Sequence, residues 1–413
     1  MYRKLESAEN MWGKLFCTFK LKIDYNKVQL MVIGKKTITT FDEEQISIIL
    51  SVPTIKFNHK DRPEFQKELR KRVNSYFKDN GISKYANAEM KLKTLFMITL
   101  YFLPFILMLT GVVNTSAGVM GMWFIMGFGV AGIGLSIMHD ANHGAYSSDK
   151  RVNKVVGYIL NFMGGFPANW RMQHNVLHHS FTNIEGYDED IEKGDIIRFS
   201  PNQRRLAGHK YQVYYAPILY SLLTIYWVLF KDIEQLIRYN KMGLLEGQNM
   251  TFGKALMEII FNKIWYFALT LVLPIMIVDV PTYVIVSGFI MMLAMSGLIL
   301  ALIFQTAHVI EETEFFVAGS EASVEDNFAI HQMKTTSNYA NNSYWFSWFV
   351  GGLNFQIEHH LFPNICHVHY PQISKIVRAT AEEHGVVYNS HATFWQAIVS
   401  HFSILNKLGT GKL

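Results

Sequence analysis

The segment GVMGMWFIMGFGVAGIGLSIMHDANH, residues 118–143, decides the fold and locates the chemistry. Its first part, residues 118–138, carries no charge and reaches the length of about 20 residues that a membrane-spanning helix needs. His139 and His143 follow at once, four residues apart, and this spacing puts both imidazoles on one face of a helix. The segment therefore predicts a membrane helix that ends in a pair of metal ligands.

Two further histidine clusters follow this one, HNVLHH (residues 174–179) and QIEHH (residues 356–360). On a helix His174 and His178 would share a face and could bind one ion together, with His179 turned toward a neighbouring position. A lone histidine is usually a core or surface residue, and one pair at this spacing often arises by chance. Three clusters beside apolar segments are hard to obtain by accident, so they indicate a metal site.

The number of imidazoles indicates two metal ions. Seven clustered histidines exceed what one zinc ion needs, since structural zinc takes four ligands and catalytic zinc three. His308 ends another apolar run, and we predict it as an eighth ligand because ionisable groups in membrane helices are costly and usually functional. Gln356 stands where an HxxHH pattern would have its first histidine. Its carbonyl could bind a metal weakly or hold a metal-bound water.

The composition is typical of a protein embedded in lipid. Hydrophobic residues make up 50% of the 413 residues and charged residues 17%, against roughly 25% in average soluble proteins. The net charge of +5 is unevenly distributed along the chain. This distribution indicates an orientation in the membrane and does not indicate nucleic-acid binding. Cys17 and Cys366 are the only cysteines, so no disulfide framework is expected.

Four apolar runs have the length of spanning helices: residues 95–113, 118–138, 264–280 and 283–306. Before them, residues 60–93 have the pattern of a basic amphipathic helix with ten Lys or Arg, which the positive-inside rule places on the cytoplasmic side. Two hairpins in series then leave all the histidine clusters on that side. We predict a membrane domain over residues 53–413 and an N-terminal extension of unknown role over residues 1–52.

One more apolar segment, residues 211–230, could span by hydropathy alone. If it did, the third histidine cluster would lie on the opposite side of the membrane from the first two, and one site cannot be divided across about 30 Å of hydrocarbon. We therefore predict an interfacial or re-entrant helix here. Its tyrosines and Trp227 suit the headgroup level.

Two metal ions that are ligated mainly by imidazoles at a membrane suggest oxygen chemistry. Zinc has no redox function, whereas a pair of irons can bind O₂, accept electrons and remove hydrogen from an unactivated methylene. Ligand histidines need hydrogen-bond acceptors that fix the ring tautomer. The polar segment of residues 331–340 could line the access to the metals. The candidate acceptors are the carboxylates close to the clusters: Asp140, Glu185, Asp188, Glu189, Asp190 and Glu358.

With these motifs the chain resembles the membrane fatty acid desaturases, and among them the front-end (Δ5/Δ6) group. HDANH, HNVLHH and QIEHH stand in the family's order at similar intervals, and a glutamine that opens the third motif is typical of the front-end group. The resemblance runs from about residue 53 to the C-terminus and is supported by the context LNFQIEHHLFP.

The resemblance implies an all-α integral membrane protein, with four transmembrane helices in two hairpins and a cytosolic helical cap that holds a histidine-ligated diiron site. It implies O₂-dependent formation of a cis double bond in an acyl chain, linoleoyl-CoA or a similar Δ6 substrate, with two electrons supplied from outside. The implied iron ligands are His139, His143, His174, His178, His179, His308, His359 and His360, with Gln356 in the variant position.

Many eukaryotic front-end enzymes carry a fused cytochrome b5 domain, and an HPGG-type haem loop is not found in this sequence. The expected electron donor is thus a separate protein of the ferredoxin or cytochrome b5 type. This difference also favours a bacterial cytoplasmic membrane, with the active site facing the cytoplasm.

The motifs leave two alternatives open. The first is a related diiron lipid hydroxylase or epoxidase, which would share the same histidines. The second is a non-catalytic membrane metal-binding protein. The double-bond position, the acyl carrier (CoA, carrier protein or phospholipid) and the oligomeric state are not indicated by any motif.

Overall fold

The structure is a computed structural model that describes residues 55–319 and 322–413. Within these residues most of the chain is helical, and the β structure consists of four strands of two residues each. The predicted all-α membrane class is confirmed. The predicted N-terminal extension, residues 1–52, lies outside the described residues.

Thirteen α-helices are numbered here in chain order. Adjoining α and π segments are counted as one helix, and the 3-10 turn Ala207–Tyr211 is counted with the helix it opens. They are α1 (Pro63–Asp79), α2 (Ala88–Leu109), α3 (Ser116–Asn142), α4 (Lys150–Gly157), α5 (residues 167–181), α6 (Ala207–Lys241), α7 (Phe252–Ile277), α8 (Thr282–His308), α9 (Phe328–Thr335), α10 (Tyr344–Phe349), α11 (Gln356–Leu361), α12 (Tyr370–Glu383) and α13 (Phe394–Thr410). Short 3-10 helices cover Tyr158–Met163, Glu246–Gln248 and His367–His369.

Five helices are long and apolar enough to cross a membrane: α2, α3, α6, α7 and α8. Four of them contain most of the four predicted spans, and α6 contains the segment predicted to be interfacial. Length and composition therefore do not decide between four and five crossings. Helices α2 and α7 begin earlier than their apolar runs because each starts at a capping residue, Asn87 or Thr251, which accepts a hydrogen bond from the first helical turn.

Helices α3 and α8 run side by side in the same direction. Trp123 meets Gly288 near the start of both helices, and Gly134 faces Leu300 further along. On its other side α3 packs closely against α2, where a Cβ added at Gly129 would lie 2.8 Å from the backbone of Tyr101. Small residues permit this close approach of helices in lipid. The packing brings the ends of α3 and α8, each with a histidine, to the same level.

The basic segment of residues 60–93 is not one helix as predicted. It breaks after α1, at Gly81, whose φ of 61° lies in the left-handed region that favours glycine. The apolar face of α1, with Phe65, Leu69 and Val73, is buried against α12. This helix therefore belongs with the helices outside the five long apolar ones, which are called the cap here: α1, α4, α5 and α9 to α13.

Two small parallel sheets join distant segments of the cap. Strand β1 (Lys56–Phe57) pairs with β2 (Ser323–Val324), and β3 (Asn338–Tyr339) pairs with β4 (Ser390–His391). The second pair fixes the segment between α8 and α11 against the chain that leads into α13.

Replacing Gly129 by leucine should destabilise the protein, because the new side chain would have to separate α2 from α3. Overpacking of this kind costs about 1–3 kcal/mol. We expect a lower melting temperature of the detergent-purified protein. The matched control is Gly121→Leu in the same helix, where nothing lies within 4 Å of the added Cβ. Equal melting temperatures for the two variants would contradict this account of the helix contact.

Candidate metal centre

Eight imidazoles meet at the ends of α3 and α8, and all except the half-buried His143 are buried. They come from four elements: α3 or the residue that follows it, α5, α8 and α11. They form two groups. Within each group, one ring nitrogen of every histidine lies within 4.8 Å of those of the others. The first group is His139, His143, His174 and His359, and the second is His178, His308 and His360. His179 lies between them, with contacts to both His359 and His360.

A π-helical turn distributes the second cluster between the two groups. Residues Met172–His178 form this turn, in which backbone hydrogen bonds join residues five apart. His174 and His179, which have this spacing, face each other with their Nε2 atoms 3.2 Å apart. His178 instead faces His308 and His360, with ring centroids 4.8 and 5.0 Å away. The structure also places His174 and His178 together, with Asp190 as a third possible ligand, so the predicted pairing of these two histidines stays a prediction.

The ring nitrogens have the spacing of ligands that share an ion. Nitrogens about 2.1 Å from one metal lie roughly 3–3.4 Å apart, and the Nε2 atoms of His139 and His174 are separated by 3.1 Å. In the second group, the Nε2 atoms of all three histidines are buried and have no hydrogen-bond partner among the described residues. Unpaired buried polar atoms are costly, and a cation held between them removes that cost. The donors therefore fit two metal ions.

Burial also sets the protonation state that ligands need. It holds the pKa of His174, His179, His359 and His360 well below the ordinary value of a histidine, with further lowering from the neighbouring imidazoles. These rings are accordingly neutral at physiological pH. Only a neutral imidazole offers a lone pair to a metal.

The second ring nitrogen of several histidines meets an acceptor or donor in the protein. His178 Nδ1 lies 3.1 Å from Asp188 Oδ1, and His360 Nδ1 lies 2.8 Å from Gln332 Oε1. His359 Nδ1 lies 3.3 Å from the Tyr370 hydroxyl. Such contacts fix ring orientation. Asp188 was among the predicted acceptors. Gln332 and Tyr370 were not, although Gln332 belongs to the polar segment expected near the metals.

Most of the other predicted carboxylates serve different partners. Asp140 accepts from His367 Nδ1 at 2.8 Å, and His367 Nε2 in turn lies 2.7 Å from the Lys93 ammonium. His367 was left out of the predicted site. It is linked to the centre through Asp140, whose Oδ1 atom lies 3.9 Å from His139 Nδ1. Glu358 accepts hydrogen bonds from Asn338 and Tyr388, and burial raises its pKa to about 7.

The remaining acidic residues follow α5. Asp190 lies 3.5 Å from His178 Nδ1 and accepts from Gln173 at 2.7 Å, so it belongs to the surroundings of the centre. Glu189 pairs with Arg238 and accepts from Tyr239, away from the imidazoles. Glu185 makes no contact with a histidine of the clusters among the described residues.

Gln356 is fully buried at the start of α11. Neither its amide oxygen nor its amide nitrogen has a hydrogen-bond partner among the described residues. A buried and unpaired amide in the helix that carries His359 and His360 is compatible with the predicted variant position. The geometry alone does not assign Gln356 as a metal ligand.

A cavity of about 670 Å³ opens beside His174. Part of its wall is apolar and includes Gly134, Met163, Leu300 and Phe304. Another part, the polar end, includes Gln173, the sequence neighbour of His174. The polar residues are Gln173, Glu189, Asp190, Glu192, Lys193, Lys231, Glu234, Gln235 and Arg238. Such a lining suits an apolar molecule with a polar end.

The sequence was also compared with known proteins. Residues 114–392 match the family described as "Fatty acid desaturase". The chain is 34% identical over 365 residues to the sn-1 linoleoyl-lipid 6-desaturase of Synechocystis, and the alignment covers 87% of this chain and 99% of that protein. It is also 34% identical to the enzyme of the same name from Arthrospira platensis, over 83% of this chain and 92% of the relative. An acyl-lipid (8-3)-desaturase of Physcomitrium patens is 34% identical over 86% of this chain and 74% of its own length.

Replacing Asp188 by alanine should weaken metal binding at the second group, because His178 would lose the carboxylate that orients its ring. Loss of such a contact lowers metal affinity by about 10–100-fold. Elemental analysis of the purified protein after mild chelation should show the loss, and circular dichroism should show an unchanged helix content. The control is Asp195→Ala, at an exposed position. A D188A protein with full metal content after chelation would contradict the expectation.

Proposed function

This chain belongs to the fatty acid desaturase family, and we propose that it forms a cis double bond near the carboxyl end of a lipid-linked acyl chain, with a diiron centre, O₂ and two external electrons. As a member it is a metal-dependent membrane oxidoreductase that desaturates fatty acyl chains. The finer statement is carried by one observation. His174, a member of the first group of imidazoles, lies in the wall of a cavity that has both an apolar and a polar part.

We assign the metal ligands from the two groups and add His179 to the first, because its Nε2 atom lies 3.2 Å from that of His174 and 2.9 Å from that of His359. One iron would be held by His139, His143, His174, His179 and His359, and the other by His178, His308 and His360, with Gln356 in the variant position. Imidazole suits iron, and a reaction that reduces O₂ requires a redox-active metal, which excludes zinc. When bound, the metal pair supplies O₂ reduction and the removal of hydrogen from two adjacent methylenes.

The protein's own part is to position and to exclude water. Asp188, Gln332 and Tyr370 hold three of the rings in fixed orientations. The apolar wall around Phe304 and Leu300 keeps the reacting methylenes out of water and next to the imidazoles. No separate catalytic acid or base is assigned.

Polar side chains next to His174 support the front-end position. Gln173 precedes His174 directly and binds both Asp190 and Gln235, so polar groups lie immediately beside the metal centre. The same cavity also has an apolar wall, which includes Gly134 and Leu300. An acyl chain with its ester end at the polar side would present a carbon near that end, which matches a Δ6-like reaction.

We further propose that the acyl group is carried by a membrane lipid and not by CoA. Two cations at the polar end are paired, Arg238 with Glu189 and Lys193 with Asp190, and Lys231 lies over the Trp227 ring. They are poorly placed to hold the several phosphate charges of CoA. The names of the relatives, linoleoyl-lipid and acyl-lipid desaturases, support the same carrier.

Four membrane crossings are proposed on grounds of parity. His139 in α3 and His308 at the end of α8 share one site, so the chain between them must cross the membrane an even number of times. Helices α7 and α8 account for two crossings, and α6 as a third would make the number odd. The ten Lys or Arg of residues 60–93 support a cytoplasmic position for the cap, and we propose the bacterial cytoplasmic membrane.

Expression in a host with a defined fatty acid pool tests the function. We expect a new double bond in lipid-bound linoleate, mapped by mass spectrometry of the total lipid. His178→Ala and His359→Ala should each abolish the product, because each removes a ligand, while the protein stays in the membrane fraction. The control His59→Ala changes an exposed histidine and should leave the product unchanged. A new hydroxyl or epoxide in place of the double bond would overturn the proposal, and so would full activity of either ligand variant.

The position of the new double bond should be constant when counted from the carboxyl carbon. Because the polar end of the cavity lies next to the metal centre, the substrate is measured from its ester end. Acyl chains of 16, 18 and 20 carbons should thus give the same carboxyl-side position. Positions that stay constant from the methyl end would show that the apolar end of the cavity sets the register instead.

A further inference from the structure

A stripe of exposed basic side chains runs along helix α1. Lys67, Arg70, Lys71 and Lys78 are all exposed, and the position between them on the same face is the neutral Asn74. The opposite face of the helix is buried against α12. The acidic residues of α1 do not interrupt the stripe, since two of them lie at the ends of the helix and Glu68 is half-buried.

Helix α12 continues this basic surface with exposed Lys375 and Arg378. Between the two helices lies a shallow groove of about 480 Å³, whose wall includes Arg72, Tyr76, Lys375 and one carboxylate, Asp79 at the end of α1. Arg72 is paired with Glu68 and Glu383. In the described part of the chain the remaining cations lack a carboxylate within 4.0 Å, except for a marginal contact of Lys71 with Glu68. The cations without such a partner are Lys67, Arg70, Lys78, Lys375 and Arg378.

One of these two helices, α12, contacts a histidine of the metal centre. Helix α12 begins at Tyr370, whose hydroxyl is 3.3 Å from the Nδ1 atom of His359. Further along, Arg378 covers the Tyr388 ring at 4.8 Å, and Tyr388 donates to Glu358, the neighbour of His359. Packed helices lie about 8–10 Å apart, so the groove is separated from the imidazoles by a single helix layer.

A lipid surface is the other structure that attracts basic helices, and α1 lacks the features for it. A helix that lies on a membrane buries an apolar face in the lipid. Helix α4 has this character, because its basic residues accompany exposed Val152 and Val155. Helix α1 exposes no large apolar side chain, since its apolar face is already buried in the cap. Its basic stripe is therefore suited to a water-soluble protein.

From these observations we propose that the groove between α1 and α12, with its basic rim, is the docking surface for an acidic protein that carries one electron at a time. This rests on the proposed function. Reduction of O₂ to two waters takes four electrons and four protons. Two electrons and two protons come from the two C–H bonds that break as the C=C bond forms. The docked protein, acting twice, supplies the other two electrons, and solvent supplies the two protons.

The test is charge reversal on the full-length, iron-loaded enzyme in lipid nanodiscs. The variant is Lys67→Glu, Arg70→Glu and Lys78→Glu together, and the matched control is Lys150→Glu, Arg151→Glu and Lys154→Glu on α4. Double-bond formation is measured against the concentration of a reduced [2Fe–2S] ferredoxin in one arm and of a reduced soluble cytochrome b5 in the other. In a separate single turnover, the enzyme is reduced anaerobically with dithionite, freed of excess reductant and then given O₂.

Electrostatic docking acts mainly on the association rate and is screened by salt. We expect kcat/KM for the carrier to fall at least about tenfold in the α1 variant at low ionic strength. The difference should shrink at high salt, with no change in the control or in the single-turnover yield. A loss with one carrier alone identifies which type uses the surface.

An unchanged kcat/KM with both carriers would overturn the proposal, as would an equal loss in the α4 control. A defect that disappears in nanodiscs of phosphatidylcholine alone would show that the stripe binds anionic lipid instead. Failure of the wild-type enzyme to form product in the single turnover would count against the proposed function itself, because no carrier takes part in that step.

Discussion

The whole site depends on the relative height of two parallel membrane helices. Helices α3 and α8 both end at the metal centre, and close contacts at Gly127 and Gly288 fix them against each other far below it. If α8 slipped by one helical turn, about 5.4 Å, His308 would move away from His178 on α5 by more than any ligand bond could span. The cap depends on the same register, because α5 and α11 bring their histidines to ring contact with those of α3 and α8. The glycines deep in the bundle thus serve the chemistry at its end.

The second constraint is the burial of many nitrogen atoms that do not bind one another well. Neutral imidazoles packed at about 3 Å must share protons or a cation. The protein provides partners for the outward-facing nitrogens, such as Asp188 and Gln332, and leaves inward-facing ones, such as His360 Nε2, without a partner among the described residues. Metal affinity and stability of the cap are therefore coupled, since the binding free energy of the ion contributes to the folding of the segments that ligate it.

Much of this arrangement could be predicted from the sequence, because it rests on signals that are local in the chain. The histidine motifs and the long apolar runs are such signals, and the structure brings all eight predicted imidazoles together. What could not be predicted depends on tertiary contacts. The π-helical turn at Met172–His178 places His178 with His308 and His360, and no residue pattern in the sequence predicts this turn. Gln332 and the Asp140–His367–Lys93 chain join residues that are distant in sequence.

Helix α6 shows why hydropathy alone does not decide the number of crossings. One of its faces lines the cavity beside His174 through Tyr220, Leu223 and Trp227, and the opposite positions, such as Tyr214 and Ile218, are exposed. On the proposed topology the helix is apolar on both sides, one facing the cavity and one facing the bilayer. Its composition would then equal that of a transmembrane span, although the helix forms a wall of the cavity and does not cross. Near its end, Gln235 instead reaches the polar residues beside His174. On the proposed function, the length of the apolar part of α6 would follow from the acyl chain it encloses as much as from the thickness of the membrane.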